Sequence, residues 1–387
     1  MNCIRISPLD PFLARDGRPY PLGGNIRTLS WPYPSVTAGG LRTLCAKVAG
    51  MSFQDPDTPC LLRKLATHGP LLVHGDELYF PSPADAVWEA ENDSSQMYEA
   101  RPQAMESGKQ NCTLPMPGID PVFLVANARM RKPEEPPPFW SSMRMAEWLT
   151  ESQEFVPPSP KKPGCNGYLE SLAVDRRTHV GIDRETQAPK EEILFSTAAL
   201  AMPHSVEIAV ATGTEGDQGL EEAVTHLAHY HPLGGERRLA FWQTDGKAHS
   251  TMWGCPRPVA EALRRNIRIR MVLATPALFK GGWKPGWLGD DGMGTVPGSA
   301  LRVRLRGASL ERWKPVSGYS LAPPVGPKAV RWLVPAGTVY FFDVLDGGDA
   351  ACLAGHWLQP VCDTPQDGKD GFGLALWGIW SAQGEGR

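Results

Sequence analysis

The sequence has no long hydrophobic run and very little net charge. No stretch approaches the roughly 18 uninterrupted apolar residues that a membrane-spanning helix needs. Residues 1–5 lack a basic segment followed by an apolar one, so we expect no secretory signal. The 39 Lys and Arg residues nearly balance the 42 Asp and Glu residues, which excludes binding of nucleic acid by bulk charge but allows a local basic groove. We therefore expect a cytoplasmic protein.

Signatures of bound metals and cofactors are also missing. The eight cysteines include no C-x-x-C pair, the spacing typical of a zinc ribbon. Their scatter along the chain is typical of free thiols in a reducing compartment. There is no nucleophile elbow and no G-x-x-x-x-G-K-[ST] phosphate loop. We expect neither a metal nor a cofactor.

Glycine and proline, in contrast, are abundant. The chain has 40 glycines and 38 prolines among 387 residues, well above the average share of about 12%. This composition argues against a helical bundle and predicts many turns and long irregular connections. Eight prolines fall within 133–163, in a region of low regularity from about 85 to 165. We interpret that region as an irregular insertion or a segment that wraps a partner.

Apolar periodicity predicts strands and helices in both halves of the chain. In the first half we expect a strand at 3–7, a helix at 36–48 capped by Ser35, a hairpin at 71–80 and paired strands at 178–184 and 193–196. In the second half we expect strands at 206–210, 238–242, 267–274, 301–306, 338–344 and 372–380, with helices at 219–230 and 256–265.

This order predicts an α+β fold with two tandem ferredoxin-like (RRM-like) domains. The first would span 1–204 and contain the irregular insertion at about 85–165. The second would span 205–387 and end in a glycine-rich loop at 371–378. That loop has the pattern G-x-G-x-x-x-x-G, whose backbone N–H groups could hold a phosphate; the alternative is a glycine bulge in a C-terminal strand.

Two strands carry alternating arginines, at positions 268 and 270 and at 302, 304 and 306. Because strand side chains alternate between faces, each strand should present a basic face. Such a face suits a phosphate backbone. A solvated face or an acidic protein partner explains the pattern equally well.

Two motifs resemble metal sites, but each has a simpler interpretation. His226-x-x-His229-x-His231 could place two imidazoles on one helix face, yet no fourth ligand is evident and a helix C-terminus itself favours histidine. Asp290-Asp291 follows a glycine as in a polymerase palm, but it lies in a glycine-rich stretch typical of an acidic turn.

His179 could be a general base for RNA cleavage, although no companion Lys or Tyr is evident.

Seven sequence blocks in this order resemble one family, the third subunit of the type III-B CRISPR effector (Cmr) complex, within the RAMP superfamily. The blocks are 8–20, 34–43, 179–195, 233–238, 275–285, 335–340 and 371–378. The resemblance implies two ferredoxin-like domains, an antiviral role and no catalysis. It also implies that the chain holds the 5′ repeat-derived tag of the CRISPR RNA, beside the large polymerase-like subunit and the first backbone subunit, with no membrane partner.

The resemblance also maps the RAMP glycine loop onto the C-terminal glycines and places His179 where the family often has arginine. Single-stranded RNA is held by cations, stacking side chains and backbone N–H groups. The candidate RNA-binding residues are Arg18, Arg42, His179, Arg184, Arg237, Arg238, Lys280, Trp283, Lys284, Gly371, Gly373 and Gly378. Two alternatives stay open: a metal-independent endoribonuclease acting on precursor CRISPR RNA, and an adaptor that binds only proteins through the proline-rich segment 133–163.

Overall fold

The chain passes back and forth between two compact units, each built from three separate segments. Unit 1 comprises 1–75, 172–249 and 314–332, and unit 2 comprises 76–171, 250–313 and 333–387. The computed structural model describes all residues except 16–23, 26–27, 92–93, 105–113, 125–132, 215, 247–251, 265, 321–324 and 383–387. Across the described ranges, no helix is long and apolar enough to cross a membrane.

The architecture is mixed α/β and rich in sheet. The helices are α1 (Pro34–Val48), α2 (Thr58–Leu62), α3 (Ser142–Leu149), α4 (Gln218–Thr225), α5 (Arg257–Leu263) and α6 (Pro365–Lys369), with a 3₁₀ helix at Ala350–His356. The first twelve strands are β1 (Asn2–Pro8), β2 (Gly24–Asn25), β3 (Ala66–His74), β4 (Glu77–Pro81), β5 (Ala86–Glu91), β6 (Ser94–Pro102), β7 (Val122–Leu124), β8 (Phe139–Ser141), β9 (Tyr168–Leu169), β10 (Ala173–Ile182), β11 (Pro189–Ala201) and β12 (Val206–Gly213). The others are β13 (Ala228–Pro232), β14 (Leu239–Asp245), β15 (Arg268–Leu273), β16 (Met293–Thr295), β17 (Arg302–Ser309), β18 (Lys314–Val316), β19 (Tyr319–Ser320), β20 (Gly326–Pro327), β21 (Arg331–Leu333), β22 (Val339–Val344), β23 (Gln359–Pro360) and β24 (Leu374–Ile379).

Unit 1 is built on the strand order β13-β14-β1-β12-β3. The central strand β1 pairs antiparallel with β12 and β14, which sets Ile4 opposite Val210 and Thr244. Helix α1 packs on β3 and adds Leu41 and Leu44 to the buried core. Because β12 pairs with β1, the predicted domain boundary after residue 204 falls inside unit 1. The compact units are therefore discontinuous in sequence and do not follow the predicted division into 1–204 and 205–387.

Two helices differ from their predicted ends. Helix α1 begins at Pro34 after Tyr33, and no side chain caps it, so the expected Ser35 cap is wrong. Proline is favoured at this first helical position because it has no N–H to leave unpaired. Helix α4 ends at Thr225 instead of continuing to 230, because residues 228–232 form β13 and pair with β14. The three histidines of the 226–231 motif consequently do not share a helix face.

Unit 2 contains a sheet with the order β16-β17-β22-β15-β24-β23, which includes the strands predicted near 267–274, 301–306, 338–344 and 372–380. The expectation of low regularity throughout 85–165 is wrong for the described parts of that region. They contain β5 to β8 and helix α3, and they belong to unit 2 instead of an N-terminal domain. Helix α3 is ordered by burial of Met145, Trp148 and Leu149.

Candidate nucleic-acid interface

In unit 1, strands β10 and β11 form a long antiparallel hairpin, and β10 is exposed over most of its length. The register sets His179 opposite Phe195, and the two rings stack with centroids 5.1 Å apart at 16°. The Nε2 atom of His179 lies 3.0 Å from the hydroxyl of Thr197. The opposite face of the hairpin carries exposed apolar side chains, including Val180 and Leu194, which are also cross-strand partners. The hairpin thus has one face with the aromatic stack and a second face on which the apolar pair Val180–Leu194 lies beside the polar pair Thr178–Ser196.

The tip of this hairpin presents Arg184 to solvent. Asp183 accepts hydrogen bonds from the backbone N–H groups of Glu185 (2.9 Å) and Thr186 (3.1 Å), which holds the turn in one conformation. The N–H group of Thr186, with that of Glu185, lowers the pKa of Asp183 below its ordinary value. Gln187 donates from its side-chain amide to the carbonyl of Arg184 at 2.8 Å. Arg184 is therefore an exposed cation on a locally organised turn.

A second turn, residues 233–238, lies between β13 and β14. Gly234 has a φ of +80°, and a Cβ there would lie 2.3 Å from the carbonyl oxygen of Leu13, so only glycine fits. Glu236 and Arg237 both have positive φ values, 57° and 52°, which are strained for residues with side chains. Arg237 is exposed at the end of this turn.

Residues 10–13 link the hairpin and the second turn. Phe12 exchanges backbone hydrogen bonds with Leu200 of β11 at 2.8 and 2.7 Å. The guanidinium of Arg238 donates to the carbonyl of Pro11 at 2.6 Å and pairs with Glu236 at 3.0 Å. Arg238 therefore fastens the turn to this segment. Residues 10–13 thus join the turn to β11 at the end of the strand away from the hairpin tip, and we name β10, β11 and residues 233–238 together the hairpin–turn surface.

The other unit 1 candidates differ from this pattern. Arg42 lies on α1 and donates from Nε and Nη2 to the carbonyl of Leu65, at 3.2 and 2.9 Å. This contact ties the helix to the chain that leads into β3, a structural role. Arg18 lies outside the described residues.

In unit 2, the loop 279–289 carries three candidates. The Asp363 carboxylate accepts from the backbone N–H groups of Lys280 (2.7 Å) and Gly286 (2.8 Å) and so fixes both ends of the loop. Lys280 is exposed and Trp283 is half-buried. Lys284 donates to the carbonyl of Gly289 at 3.0 Å and pairs with Asp290 at 3.2 Å. The charge of Lys284 is therefore partly balanced within the loop.

The acidic motif at 290–291 is a turn, as its simpler interpretation expects. The carboxylate of Asp291 accepts from the backbone N–H of Met293 at 2.9 Å. Among the described residues, no three His, Cys, Asp or Glu side chains come close enough together to hold a metal ion.

The C-terminal glycines are buried and their amides are used within the chain. The N–H of Gly371 donates to Gly368 at 3.0 Å, and that of Gly373 donates to Pro276 at 2.8 Å. Both have positive φ, and a Cβ at Gly373 would lie 2.6 Å from the sulfur of Cys362. Gly378 lies in β24, where a Cβ would lie 2.6 Å from the carbonyl oxygen of Leu149. Positive φ explains Gly371, positive φ and close packing explain Gly373, and close packing explains Gly378; all three are buried.

The arginines of β17 face aspartates of their own unit. Arg302 pairs with Asp346 at 2.5 Å. Arg306 pairs with Asp120 and lies 3.4 Å from Asp343. The other contacts are Arg268 to Asp343 (3.8 Å) and Arg304 to the sulfur of Met293 (3.7 Å). Aspartates of the same unit therefore offset part of the charge of the predicted basic face.

Arg270 also departs from the predicted basic face, because it is fully buried. Its guanidinium pairs with Asp85 at 2.8 Å and with Glu99, and it donates to the carbonyl of Trp148. The indole N–H of Trp148 donates to Asp85 at 3.0 Å. Inward-facing arginine on this strand is tolerated because both terminal nitrogens of the guanidinium meet partners, whereas its Nε has no hydrogen-bond partner among the described residues.

The buried charges continue beyond Arg270. Arg101 pairs with Glu99 and, at 2.8 Å, with Glu151. Glu151 accepts from the backbone N–H and the hydroxyl of Ser381, at 2.9 and 2.7 Å. Arg101 donates to the carbonyl of Ser381 at 2.9 Å. Two arginines and three carboxylates thus form one buried charge cluster that anchors the C-terminal segment.

The family model described as CRISPR-associated protein (Cas_Cmr3) matches residues 4–380. The chain belongs to the Cas_Cmr3 family. It is accordingly a third-subunit protein of the type III-B CRISPR effector, the Cmr complex.

Three solved structures are similar to this Cas_Cmr3 chain. The first is a chain of the type III-B Cmr-beta complex bound to cognate target RNA and AMPPnP in state 1, with 13% identity over 88% of this chain and 86% of that chain and a TM-score of 0.49. The second is a chain of Cmr-beta bound to cognate target RNA, with 15% identity over 88% of this chain and 86% of that chain and a TM-score of 0.47. The third is a chain of the Csm3–Csm4 subcomplex of the type III-A CRISPR-Cas interference complex, with 11% identity over 90% of this chain and 94% of that chain and a TM-score of 0.38. No curated protein matches the sequence.

Sequence reasoning missed several residues of the hairpin–turn surface in this Cas_Cmr3 chain. Phe195 and Thr197 support the ring of His179, and Arg177 lies on the same face, where Asp175 pairs with it at 2.8 Å. The signal was available, since period-2 alternation through 175–179 and 195–199 places these residues on one face once the two strands are paired.

The strained turn leads to a prediction about stability. Arg237→Gly is expected to raise the free energy of unfolding by about 0.5–1 kcal/mol, because glycine adopts a positive φ without steric cost. Arg237→Ala keeps the strain and is expected to give no gain. Urea denaturation of the three proteins tests this, and equal stability of the glycine and alanine variants would contradict it.

The packing of Gly378 leads to a second prediction. Gly378→Ala is expected to lower the free energy of unfolding by about 1–3 kcal/mol, because the new methyl group forces α3 away from β24. Gly355→Ala is the matched control, since a Cβ at that position meets nothing within 4 Å. Thermal or urea unfolding measures both variants. A loss at position 378 no larger than that at 355 would contradict the packing argument.

The buried charge cluster predicts an unusual pH dependence. Burial raises the pKa of Asp85 to about 6, with Arg270 opposing the shift and Glu99 adding to it. The folded protein then binds a proton that the unfolded chain has lost between about pH 4 and pH 6, so this group's contribution to stability falls by about 2–3 kcal/mol as pH rises through that range and is constant above it.

Comparison with Asp85→Asn isolates this contribution. The stability difference between the wild-type chain and Asp85→Asn, measured by urea denaturation, is expected to grow in favour of the wild type as pH falls from 6 to 4. A difference that does not change over this range would contradict the assignment.

Proposed function

We propose that this Cmr subunit is a non-catalytic RNA-binding protein that holds the single-stranded 5′ tag of the CRISPR RNA and bridges the large polymerase-like subunit to the backbone subunits. In this proposal both units are ferredoxin-like RAMP domains. The observation that carries the proposal is the hairpin–turn surface, which combines an aromatic stack on β10 and β11 with exposed cations at the hairpin tip and on the turn 233–238.

The chemistry of this surface suits a single strand of RNA. Single-stranded bases stack on aromatic rings, and cations hold the phosphates between them. The stacked pair of His179 and Phe195 supplies a ring platform, and Arg184 and Arg237 supply exposed guanidinium groups on organised turns. Lys280 and Trp283 are a second, smaller pair of the same residue types on the loop 279–289 of unit 2.

The bridging role rests on the other face of the hairpin. Val180 and Leu194 are 44% and 60% exposed although they are apolar and directly opposite each other. Exposed apolar clusters on soluble chains commonly mark protein–protein contacts. A hairpin with one RNA face and one protein face could therefore hold the guide and a neighbouring subunit at once.

The endoribonuclease alternative depends on His179. A general base must have a ring nitrogen within reach of the hydroxyl that it deprotonates. The Nε2 atom of His179 already lies at hydrogen-bond distance from Thr197, and the ring is stacked on Phe195. This geometry favours a stacking role for His179, so the proposal assigns it no proton transfer.

Two assays with the purified full chain test the proposal. The first measures binding of fluorescein-labelled RNA that carries the repeat-derived tag, against an RNA of the same composition in scrambled order. In this assay we expect tighter binding of the tag RNA. The second assay incubates the chain with repeat RNA for a prolonged time, and we expect no cleavage. Cleavage that disappears in His179→Ala would establish the endoribonuclease alternative instead.

The protein-binding face needs a separate variant. Val180→Ser combined with Leu194→Ser is expected to keep tag RNA binding but to lose co-purification with a partner subunit. Tyr319→Phe, a nearly isosteric change at an exposed site elsewhere in unit 1, is the control. Unchanged co-purification of the double variant would contradict the bridging part of the proposal.

A further inference from the structure

The hairpin of β13 and β14 carries an aromatic pair of its own. Tyr230 of β13 lies opposite Phe241 of β14, and their ring centroids are 5.0 Å apart at 49°. Tyr230 is 65% exposed, and Phe241 is half-buried. Strand β13 is the end strand in the order of its sheet. Unit 1 therefore presents two neighbouring rings near one edge of this sheet, on the two strands that the turn 233–238 connects.

The strand register shows which face of the sheet carries this pair. Phe241 and Gln243 alternate with Trp242, which is fully buried in the core of unit 1. On β1, Ser7 lies opposite Phe241 and Arg5 lies opposite Gln243. The aromatic pair and these polar residues therefore share the face of the sheet that is turned away from that core.

The carboxylates of this face are already engaged with a cation. Arg5 pairs with Asp245 at 2.7 Å and with Glu207 at 3.2 Å. The hydroxyl of Ser7 also donates to Glu207. Because the charge of both carboxylates is offset by Arg5, they repel an approaching polyanion less than free carboxylates would.

An exposed cation lies at the end of the same hairpin. Arg237, on the turn 233–238, is exposed and precedes Phe241 by four residues. Four residues span at most about 14 Å of chain. A strand of RNA whose phosphate meets Arg237 could therefore bring a base of a nearby nucleotide to the two rings.

The border of the aromatic pair is apolar. Leu9 is 57% exposed and Leu239 is 42% exposed, and the N–H of Leu9 donates to the carbonyl of Leu239 at 2.9 Å. Apolar side chains alone would suit a protein partner. Exposed rings beside an exposed cation are instead the combination that binds single strands, because every base has a face that can stack. Continuity with the turn 233–238 therefore favours RNA as the occupant.

We propose that Tyr230 and Phe241 form a base-stacking site, in which a base of single-stranded RNA stacks on the exposed ring of Tyr230. This proposal rests on the proposed function and deepens it, since it names the chemical group that is bound next to the turn 233–238. Stacking of this kind accepts any of the four bases, so the site adds affinity without selecting a sequence.

The test uses the full chain and fluorescein-labelled tag RNA. Tyr230→Ala is expected to weaken binding by roughly 5- to 100-fold, because one base loses its stacking platform. Tyr230→Leu keeps an apolar side chain in the strand and should bind as weakly, whereas Tyr230→Phe keeps the ring and should bind like the wild-type chain. Tyr319→Ala is the matched control, since Tyr319 is a tyrosine of unit 1 with a similar exposure of 62%.

The salt dependence separates stacking from charge. Tyr230→Ala should leave the slope of log affinity against log salt at its wild-type value, because no phosphate contact is lost. Arg237→Ala should lower that slope by about 0.7. The proposal is overturned if the slope falls equally in both variants, or if Tyr230→Ala binds tag RNA as tightly as Tyr319→Ala does.

RNA with an abasic nucleotide identifies the stacked base. Such a nucleotide keeps its phosphate but has no base to stack. At the stacked position, an abasic nucleotide should weaken wild-type binding as much as Tyr230→Ala does, and combining the two changes should weaken binding no further. Additive losses at every tag position would contradict a contact between Tyr230 and a base.

The stacking site and the tag-binding function can fail separately. Loss of tag RNA binding in the combined Arg184→Ala and Arg237→Ala variant, but not in Tyr230→Ala, would overturn the stacking site and leave the function in place. Equal binding of tag and scrambled RNA, with both weakened in Tyr230→Ala, would support the stacking site and overturn tag recognition. Normal RNA affinity of Tyr230→Ala with loss of a partner subunit would overturn the stacking site in favour of protein docking.

Discussion

Replacing Arg270 with methionine is expected to lower the free energy of unfolding by about 3–5 kcal/mol. Arg270 is fully buried and is the only side chain of the described residues that pairs with both Asp85 and Glu99. Its removal leaves the buried carboxyl group of Asp85 without its cation and Glu99 without one of its two, since Glu99 still pairs with Arg101. Urea denaturation at pH 7.5 measures the loss, with circular dichroism as the signal.

The matched control for this variant is Arg302→Met. Arg302 occupies a strand of the same sheet and pairs with Asp346, but its side chain is 54% exposed. Exposed ion pairs contribute about 0–1 kcal/mol, so the control should be nearly as stable as the wild-type chain. Similar losses for both variants would contradict the conclusion that the buried charge cluster, and not the charge of β15 or β17 in general, supports unit 2.

Combining Arg184→Ala with Arg237→Ala is expected to weaken binding of tag RNA by roughly 100-fold, about 10-fold for each lost contact between a cation and a phosphate. The slope of log affinity against log salt should fall by about 1.4. Fluorescence anisotropy with labelled tag RNA measures both quantities. Arg257→Ala is the control, because Arg257 is 90% exposed and pairs with Glu261 of its own helix.

Tag RNA affinity and a salt slope that match those of Arg257→Ala would show that the hairpin–turn surface does not hold the tag. Arg238→Ala should behave differently from both, since Arg238 fastens the turn to Pro11. We expect Arg238→Ala to lower stability as well as affinity.

Local patterns in the sequence predicted the positions of strands better than they predicted the surroundings of the strands' side chains. Alternation at 268–271 and 302–306 gave strands β15 and β17 in the expected places. It could not show that one arginine of β15 points into a buried charge cluster, because its partners Asp85 and Glu99 lie more than 170 residues earlier. Charge compensation of this kind depends on tertiary contacts that a local pattern does not contain.

Long-range pairing also explains where the compact units and the end of helix α4 depart from the sequence predictions. Strand β12 belongs to unit 1 because its partner β1 is at the start of the chain. Helix α4 ends early because β13 pairs with β14. In both cases the apolar pattern was identified from the sequence, but strand pairing determined the unit to which β12 belongs and the residue at which α4 ends.

The candidate site was partly predictable. Arg184 and Arg237 were named from the sequence and are exposed on organised turns, and their contacts with RNA stay a prediction. Arg42 and Arg238, named by the same reasoning, are engaged in holding the fold. The residue type alone cannot separate an arginine that binds a ligand from one that donates to a backbone carbonyl.

The most direct test of tag binding is site-specific crosslinking in the assembled effector complex. CRISPR RNA with a photoreactive nucleotide at each position of its 5′ tag is assembled with all subunits, irradiated and analysed by mass spectrometry of the crosslinked peptides. The account predicts crosslinks within 176–197 or 233–238 of this chain. Crosslinks from every tag position to other subunits alone, with equally efficient assembly, would contradict it.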